Sequence, residues 1–322
     1  MSSIFHGGAR PSEYDMIDFS TNVNPYIPEF LNEIKYDFSR YPYCSYIEDM
    51  IKEKFKIDYD VIFSAGITEL LYQVGYAFSG KVARIMDVTY KEYERIADLF
   101  NMKKDVLKNI DPSPSELIKS DAIVFISNPN NPTGKYIDLD DIVQTAERKN
   151  SIVILDEAYI DFSDIKKEHY SDNIIVLRSL TKQFGVPGIR AGYAFGNKKY
   201  IEKMREFSIP WSTGITGCKF AEYAIKNYNF VYETVEYIKK EKKRFENIFN
   251  IKSDANFFLV TSDKIDLFEY LKKNNILVRN CESFGLKGYI RFSIRKKEEN
   301  DLLINLLKGM DIRNHEGIKY GH

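Results

Sequence analysis

The sequence predicts an α/β fold in which a mostly parallel sheet is covered by helices on both faces. Short apolar segments alternate with amphipathic ones between residues 60 and 180. Polar and glycine-containing turns follow several apolar segments, as they do at the ends of parallel strands. The later part of the chain combines long helices with a second, shorter alternation, which predicts a smaller α+β domain. We therefore expect a large domain at 38–225 and a small domain formed by 226–322 with an N-terminal arm at 1–37.

Apolar segments bounded by turn residues define the expected strands. These are DVIFSAG (60–66), VARIMDV (82–88), DAIVFIS (121–127), SIVILDEAY (151–159), NIIVLRSL (173–180), NFFLVT (256–261), ILVRNC (276–281) and YIRFSIR (289–295). Helical spacing predicts helices from Pro28 to about Phe38, after Ser45, at 67–78, 90–100 and 138–150, and one or two long helices within 214–249.

Composition argues against several classes of protein. The chain has 46 basic and 47 acidic residues and no long basic run, so neither nucleic acid nor an anionic membrane surface is an expected partner. No apolar run is long enough to cross a bilayer. The three cysteines, Cys44, Cys218 and Cys281, are far apart and form no C-x-x-C pair, which argues against a disulfide framework or a zinc site. We predict a cytoplasmic enzyme that needs no metal.

One lysine stands in an unusual segment, SLTKQFGVPGIRAGYAF, which is typical of neither a helix nor a strand. A lysine that attacks a carbonyl must lose its proton, and a nearby cation in a dry pocket lowers its pKa. Lys182 lies between the hydroxyls of Ser179 and Thr181 and the later Arg190, which together could bind an anion. The alternative for Lys182 is an ordinary solvated lysine.

Other candidate groups follow neighbouring predicted strands. In SAGITE, the backbone N–H groups of Ile67 and Thr68 at a helix start could bind phosphate, although Thr68 could simply be an N-cap. In SNPNNPTG, two prolines make a rigid loop in which Asn131 offers a fixed amide, unless the loop is only a turn. Asp156 ends a strand, where a buried carboxylate needs a cationic or N–H partner, or it caps a turn.

A reactive lysine, a carboxylate for a ring nitrogen and a phosphate cup together describe a pyridoxal phosphate site. The motifs S-N-P-N-N-P-T-G, D-E-A-Y and S-L-T-K-x-F-G-x-P-G-I-R-x-G-Y carry the resemblance to a known family. Over essentially its whole length the chain resembles the fold type I pyridoxal phosphate enzymes of the aminotransferase class I/II family. The resemblance implies a three-layer α/β/α large domain and a smaller α+β domain.

The resemblance also implies how the cofactor would be held. Lys182 would bind it covalently and then move protons, Asp156 would pair with the ring nitrogen, and Asn131 and Tyr159 would bind the ring hydroxyl. Tyr93 would stack on the ring, or else be a core aromatic of its helix. Phosphate ligands would come from the Ile67 and Thr68 amides, Ser179, Thr181, Arg190 and, from the other subunit of a homodimer, Tyr41.

The same resemblance implies a substrate with anionic groups. Arg291 matches a carboxylate-binding arginine, and Arg279 matches an arginine that holds a substrate phosphate. Arg295 and His6 are further candidates, although either could belong to a surface ion pair. Asn24, in the segment DFSTNVNP, is expected to contact the substrate as well.

Two branches of the family remain open. The segments HGG (6–8), DFSTNVNP (18–25), PWS (210–212), ILVRNC and RFSIR favour decarboxylation of L-threonine O-3-phosphate to (R)-1-aminopropan-2-yl phosphate, a step of cobalamin biosynthesis. The alternative is transamination, of histidinol phosphate or of another amino acid. A third hypothesis is a cofactor-binding protein with a regulatory role, and the joint presence of Lys182, Asp156 and Arg291 argues against it.

Overall fold

The computed structural model describes residues 7–108, 112–165 and 170–314. The strands are β1 (Ile17–Asp18), β2 (Asp60–Ser64), β3 (Val82–Met86), β4 (Lys103–Leu107), β5 (Ala122–Ser127), β6 (Ile152–Asp156), β7 (Ile174–Ser179), β8 (Gly192–Gly196), β9 (Phe257–Thr261), β10 (Ile276–Leu277), β11 (Arg279–Asn280), β12 (Ile290–Ser293) and β13 (Arg313–Asn314).

Helices connect these strands and flank them. They are α1 (Tyr46–Phe55), α2 (Ile67–Ala77), α3 (Glu92–Leu99), α4 (Pro114–Leu117), α5 (Asp140–Arg148), α6 (Lys198–Arg205), α7 (Ile215–Lys226), α8 (Asn229–Phe249), α9 (Leu267–Lys273) and α10 (Lys297–Leu307). Short 3-10 helices lie at Pro11–Glu13, Glu29–Asn32, Ile160–Phe162 and Glu282–Phe284.

A seven-stranded sheet in the order β2-β8-β7-β6-β5-β3-β4 forms the centre of the molecule. Its strands are parallel except β8, which runs antiparallel to both neighbours. Successive residues of β5 belong to different hydrophobic clusters: Val124 to one that includes residues of α1, α5 and α7, and Phe125 to one that includes residues of α2, α3 and α6. Both faces are therefore covered, which confirms the predicted three-layer α/β arrangement.

A four-stranded antiparallel sheet, β11-β12-β9-β13, forms the second part of the fold. The N-terminal segment joins this part through a parallel pairing of β1 with β10, in which Ile17 lies opposite Ile276. The N-terminal segment and the C-terminal α+β region thus share hydrogen bonds through this strand pair. The exact boundaries, 38–225 for the large domain, stay a prediction.

Several elements differ from those expected from the sequence. GYAFG forms β8, which is held by hydrogen bonds to strands on both sides rather than by any apolar alternation of its own. Strand β4 and helix α6 were not expected either. The helix predicted from Pro28 is wrong, because only Glu29–Asn32 makes a 3-10 turn. There Phe30 packs edge-on against Phe184, so tertiary contact decides the local conformation.

The cysteine prediction is also wrong in one respect. Cys44 and Cys218 form a disulfide with their Cα atoms 5.7 Å apart, and it ties the segment before α1 to α7. A separation of 174 residues hides such a pair from spacing arguments. Cys281 is a buried free thiol. No His, Cys, Asp and Glu cluster suited to a metal occurs among the described residues.

Across the described ranges, no helix combines the length and the apolar character needed to span a bilayer. The expected cytoplasmic location stays a prediction.

Candidate active site

A cavity of about 1340 Å³ opens at the carboxyl ends of β5, β6 and β7. Ligands bind at this edge in open α/β sheets, because the strand ends there lead into loops that converge. Ser127, Asp156 and Ser179, the last residues of these strands, all line the cavity. Eleven of the expected site residues lie on its wall, namely Ile67, Thr68, Asn131, Asp156, Tyr159, Ser179, Thr181, Lys182, Arg190, Arg279 and Arg291.

Asp156 is a buried carboxylate on the wall of the cavity. Its Oδ2 accepts a 2.8 Å hydrogen bond from the Tyr93 hydroxyl, and its Oδ1 accepts a 3.0 Å bond from the Ala158 N–H. Burial raises the pKa of Asp156, while these two hydrogen bonds and the Lys182 charge oppose the rise. The carboxylate is therefore suited to a cationic N–H partner entering from the cavity.

Lys182 reaches the same space from the loop that follows β7. Its Nζ lies 5.1 Å from the centroid of the Tyr159 ring, which also lines the cavity. The backbone holds this loop in place, since the carbonyl of Lys182 accepts hydrogen bonds from the N–H groups of Asn24 and Gly185. An amine and a carboxylate thus face one cavity from neighbouring strand ends.

An anion-binding corner lies where α2 begins. Gly66 precedes the helix with φ +87°, and the amides of Ile67 and Thr68 open the first turn. Arg190 lies directly over this turn, because a Cβ added to Gly66 would come within 2.9 Å of its Nη2. A glycine is therefore required here both by the backbone angle and by the approach of the guanidinium.

Two hydroxyls complete that corner. The Oγ of Ser179 and the Oγ1 of Thr181 lie 3.2 Å apart, and both side chains line the cavity. With the helix start and Arg190 they form a cup of donors and positive charge that suits a phosphate. Pyridoxal phosphate needs this cup together with an amine and a carboxylate, so the residues present fit the cofactor.

A second electropositive region lies on the side of the small sheet. Arg279 and Arg291 are paired neighbours on β11 and β12, and both face the cavity. Arg291 is 5% exposed, donates to Asn131 Oδ1, and donates a 3.0 Å bond to the carbonyl of Ser20. Burial lowers the pKa of both arginines, and the Arg291 charge lowers that of Arg279 further. This region is therefore suited to binding anions.

The stacking role expected for Tyr93 is wrong. Tyr93 is fully buried, does not line the cavity, and stacks on Phe125 with ring centroids 5.3 Å apart. It lies on α3, whose inner face packs against the sheet, so its ring belongs to the core. Tyr90, in the turn before α3, lines the cavity instead. Both tyrosines occur in the same YKEY segment, and sequence spacing does not say which one leaves the core.

The substrate contact expected for Asn24 is wrong, because Asn22 rather than Asn24 lines the cavity. The Nδ2 of Asn24 donates to the carbonyl of Gln183 and to Thr234 Oγ1, and its Oδ1 accepts from the Tyr26 N–H. Asn24 thus braces the chain and does not line the cavity. Asn22 is 4% exposed, lines the cavity, and its amide has no hydrogen-bond partner among the described residues.

Arg295 is not a cavity residue. Its guanidinium pairs with Glu299 at 3.3 Å, one turn along the start of α10, and it lies outside the cavity wall. β12 ends at Ser293, so the chain has left the strand before Arg295 and turns toward α10, where the ion pair with Glu299 forms; the ion-pair alternative is therefore correct. His6 lies outside the described residues.

Tyr41 lies away from the cavity of its own chain. It is 68% exposed and stacks on Trp211 with ring centroids 4.5 Å apart. A contact of Tyr41 with a site in a second subunit stays a prediction.

The fold and cavity define a class of protein, the fold type I enzymes that use pyridoxal phosphate. Residues 18–307 match the family model described as aminotransferase class I and II. The chain belongs to this family, and its cofactor is pyridoxal phosphate.

Relatives with two different named activities are similar to the chain over most of its length. The chain is 32% identical to a histidinol-phosphate aminotransferase of Clostridium beijerinckii, over 94% of this chain and 92% of the relative. It is 30% identical to a provisionally named threonine-phosphate decarboxylase of Caldanaerobacter subterraneus subsp. tengcongensis, over 90% and 89%. The crystal structure of the Clostridium acetobutylicum histidinol-phosphate aminotransferase superposes with a TM-score of 0.82 at 28% identity, covering 91% of this chain and 98% of that one.

Proposed function

We propose that the cavity residues hold pyridoxal phosphate in a defined orientation. The cup formed by the Ile67 and Thr68 amides, Ser179, Thr181 and Arg190 would bind its phosphate, and Asp156 would accept a hydrogen bond from its protonated ring nitrogen. When bound, the cofactor supplies an electron sink that stabilises negative charge at the substrate α-carbon. This assignment is supported by the convergence of amine, carboxylate and phosphate cup on one cavity.

The chain's own groups would then perform the proton transfers. Lys182 would carry the cofactor between turnovers and, once released by the incoming amine, would accept or donate a proton at Nζ. Asp156 would stay ionised beside a cation, since the cation offsets the unfavourable burial of the carboxylate. Tyr159 and Asn131 would hydrogen-bond the ring hydroxyl, and Tyr90 lies on the cavity wall where it could cover the ring.

We further propose that the substrate is L-threonine O-3-phosphate and that the reaction is its decarboxylation. The observation that carries this proposal is the pairing of Arg279 and Arg291 at one end of the cavity. Two adjacent cations that are partly or fully desolvated favour a substrate with two anionic groups. Threonine phosphate has a phosphate and a carboxylate, and Asn22 offers a further unpaired amide.

The N-terminal segment packs against one of these arginines. Gly7 of the HGG segment lies against Arg291, since a Cβ there would be 3.2 Å from Arg291 Nη2 and 2.8 Å from the carbonyl of Ser20. A side chain at this position would therefore displace the guanidinium or the backbone that it contacts. The loss of CO2 leaves an amino-alcohol phosphate. Of the two anionic groups of the substrate, this product keeps only the phosphate, which we assign to Arg279.

Transamination of histidinol phosphate is the second candidate. It is favoured by the aminotransferases among the relatives, including the one at 32% identity. The same arginine pair would serve it, because Arg279 would hold the phosphate of histidinol phosphate and Arg291 a carboxylate of glutamate in the other half-reaction.

A direct assay separates the two candidates. The purified protein, loaded with pyridoxal phosphate, is supplied in parallel with threonine phosphate and with histidinol phosphate plus 2-oxoglutarate. Release of CO2 from the first substrate without glutamate formation from the second supports decarboxylation. Glutamate formation from histidinol phosphate, with no CO2 from threonine phosphate, would replace our first proposal by the second.

We also propose that the protein works as a homodimer with shared sites. Tyr41 and Trp211 form an exposed aromatic pair, and Phe38 and Tyr43 beside it are 75% and 76% exposed. Large exposed apolar side chains in one segment are typical of a surface that another protein covers. A second copy that covers this segment would bring Tyr41 toward the phosphate cup of its partner.

A further inference from the structure

A buried ion pair lies immediately behind the candidate site, between the ends of β6 and β7. Glu157 follows Asp156 at the end of β6, and Arg178 precedes Ser179 at the end of β7. The two strands are parallel neighbours, and the ladder continues past β6 because the Glu157 N–H donates to the carbonyl of Leu177 at 2.9 Å. Asp156 and Ser179 line the cavity, whereas Glu157 and Arg178 do not. The pair thus joins the two strand ends from the side away from the cavity.

The contact is direct and enclosed. Arg178 Nε donates to Glu157 Oε2 at 2.9 Å, and Arg178 Nη2 lies 2.8 Å from the same oxygen. The side chains are 14% and 1% exposed. Tyr170 completes the group, since its hydroxyl accepts a 2.8 Å bond from Arg178 Nη2 and donates to Glu157 Oε2 at 3.3 Å. Burial raises the pKa of the Glu157 carboxyl, and the Arg178 charge opposes that rise. Because water is largely excluded from the pair, removal of either residue would leave the other charge buried without a partner, which is strongly destabilising.

A second contact joins the loops that follow the same strands. Asp161 accepts a hydrogen bond from Gln183 Nε2, next to Lys182, and another from the Tyr228 hydroxyl at 3.0 Å. Two side-chain contacts therefore link the end of β6 to the end of β7, namely Glu157 with Arg178 and, further along the chain, Asp161 with Gln183. A shift of one strand end relative to the other would break both contacts.

This linkage matters because the two strand ends hold different parts of one rigid molecule. The ring nitrogen and the aldehyde carbon of pyridoxal phosphate are a fixed distance apart. The separation between Asp156, at the end of β6, and Lys182, after β7, must therefore match the distance between these two cofactor atoms. Misplacement of catalytic groups by about 1 Å can cost on the order of a hundredfold in rate.

We propose that the Glu157–Arg178 pair is a positioning device that holds Asp156 in register with Ser179 and Lys182. Neither residue touches the cofactor in this proposal; both act through the strand ends that they join. The proposal rests on the roles that we assign to Asp156 and Lys182 under the proposed function. It requires that loss of the pair loosen cofactor binding and change the proton affinity of the lysine-bound cofactor.

The test compares Arg178→Met and Glu157→Gln with Arg178→Lys, which keeps the charge but loses the fork of donors. Arg205→Met is the control for loss of an ion pair away from the site, because Arg205 pairs with Glu48 at 2.9 Å and donates to the carbonyl of Val61, and it does not line the cavity. The cofactor-free proteins are titrated with pyridoxal phosphate by equilibrium dialysis. The loaded proteins are titrated with pH while the visible band of the lysine-bound cofactor is followed.

We expect Arg178→Met and Glu157→Gln to weaken pyridoxal phosphate binding about tenfold to a hundredfold and to move the midpoint of the pH titration by about one unit. Arg178→Lys should have a cofactor affinity and a titration midpoint between those of these two variants and those of the wild type. Arg205→Met should lower the unfolding temperature without changing either readout. If Arg178→Met does not fold, Arg178→Lys and Glu157→Gln decide the question by the same two measurements.

The proposal is overturned if these variants change only the unfolding temperature, as the control does, and keep the wild-type affinity and titration midpoint. Failure of the proposed site looks different. In that case Lys182→Ala would keep the visible band of the lysine-bound cofactor, whatever the ion-pair variants do.

Discussion

Tyr93 donates a 2.8 Å hydrogen bond to Asp156 from beneath the wall of the cavity. Tyr93 is fully buried, and Asp156 is 4% exposed, so little water competes for this contact. The bond stabilises the charged form of the carboxylate and opposes the rise in pKa that burial causes. A residue that seemed suited to stack on the cofactor is thus placed to control the ionisation of its acidic partner.

Tyr93→Phe should therefore weaken catalysis without removing the cofactor. A hydrogen bond to a charged group contributes about 1.5 to 3 kcal/mol, which corresponds to about one to two powers of ten in turnover. The pKa of Asp156 should rise further, so the acidic limb of the pH–activity profile should move to higher pH. The profile of kcat/KM tests this, with Tyr76→Phe, an exposed tyrosine on α2, as control. A wild-type profile for Tyr93→Phe would contradict the role.

Asp156→Asn should bind pyridoxal phosphate but lose most of its activity. Removing a preorganised charged group of this kind raises the barrier by about 3 kcal/mol or more. Steady-state turnover of the loaded variant provides the measurement. Turnover at the wild-type level would rule out the assigned role.

The same substitution should stabilise the cofactor-free protein. Burial places the folded pKa of Asp156 above its ordinary value of 3.8, so the folded state binds the proton more tightly than the unfolded state. The contribution to stability is therefore favourable below the unfolded pKa and is lost as pH rises through the folded pKa. At neutral pH we expect Asp156→Asn to gain about 0.5 to 2 kcal/mol, and the gain should shrink at acidic pH. Urea unfolding of both cofactor-free proteins across this range tests the sign.

Lys182→Ala should abolish covalent attachment of the cofactor. Borohydride treatment of the wild-type protein should fix pyridoxal phosphate to Lys182, and peptide mass analysis locates the adduct. Lys91 is a useful control, because it also lines the cavity but is paired with Glu94 at 2.7 Å. Lys91→Ala should keep the adduct at Lys182. An adduct at any other lysine of the wild-type protein would refute the assignment.

Arg279→Ala and Arg291→Ala should affect different substrate groups. Loss of a charge-assisted contact costs roughly 2 to 4 kcal/mol, or about one and a half to three powers of ten. Arg279→Ala should weaken every phosphorylated substrate. Arg291→Ala should impair decarboxylation of threonine phosphate directly, whereas in an aminotransferase it should spare the histidinol phosphate half-reaction and impair the glutamate half.

Single-turnover spectroscopy on each substrate separates these outcomes. Arg295→Ala is the control, since Arg295 pairs with Glu299 outside the cavity and its loss should leave both substrates nearly unaffected. Equal losses for all three variants would indicate a general structural effect and would contradict the assignment of substrate groups.

Cys44→Ser should destabilise the protein only under oxidising conditions. The disulfide with Cys218 closes a loop of 174 residues, and cross-links of this kind typically contribute about 2 to 4 kcal/mol by constraining the unfolded chain. Urea unfolding without reductant should show that loss, and excess dithiothreitol should make variant and wild type equal. A difference that persists in dithiothreitol would show that the serine perturbs packing instead.

The sequence by itself determined the α/β class, most strands of the central sheet and the candidate functional groups at their ends. Local signals sufficed there, because an apolar run bounded by turn residues identifies a buried strand without knowledge of its neighbours. Lys182, Asp156 and Ser179 were found for this reason, since each follows or ends such a strand. Parallel strands that end at one edge necessarily bring those groups together.

Only the tertiary structure decided which of two similar residues faces the cavity. Tyr90 and Tyr93 occur in one segment, as do Asn22 and Asn24, and spacing cannot say which member packs into the core. That choice depends on contacts with residues distant in sequence, such as Phe125 beneath Tyr93 and Thr234 beside Asn24. The strand β8 and the Cys44–Cys218 pair were missed for the same physical reason, because their stabilising partners come from elsewhere in the chain.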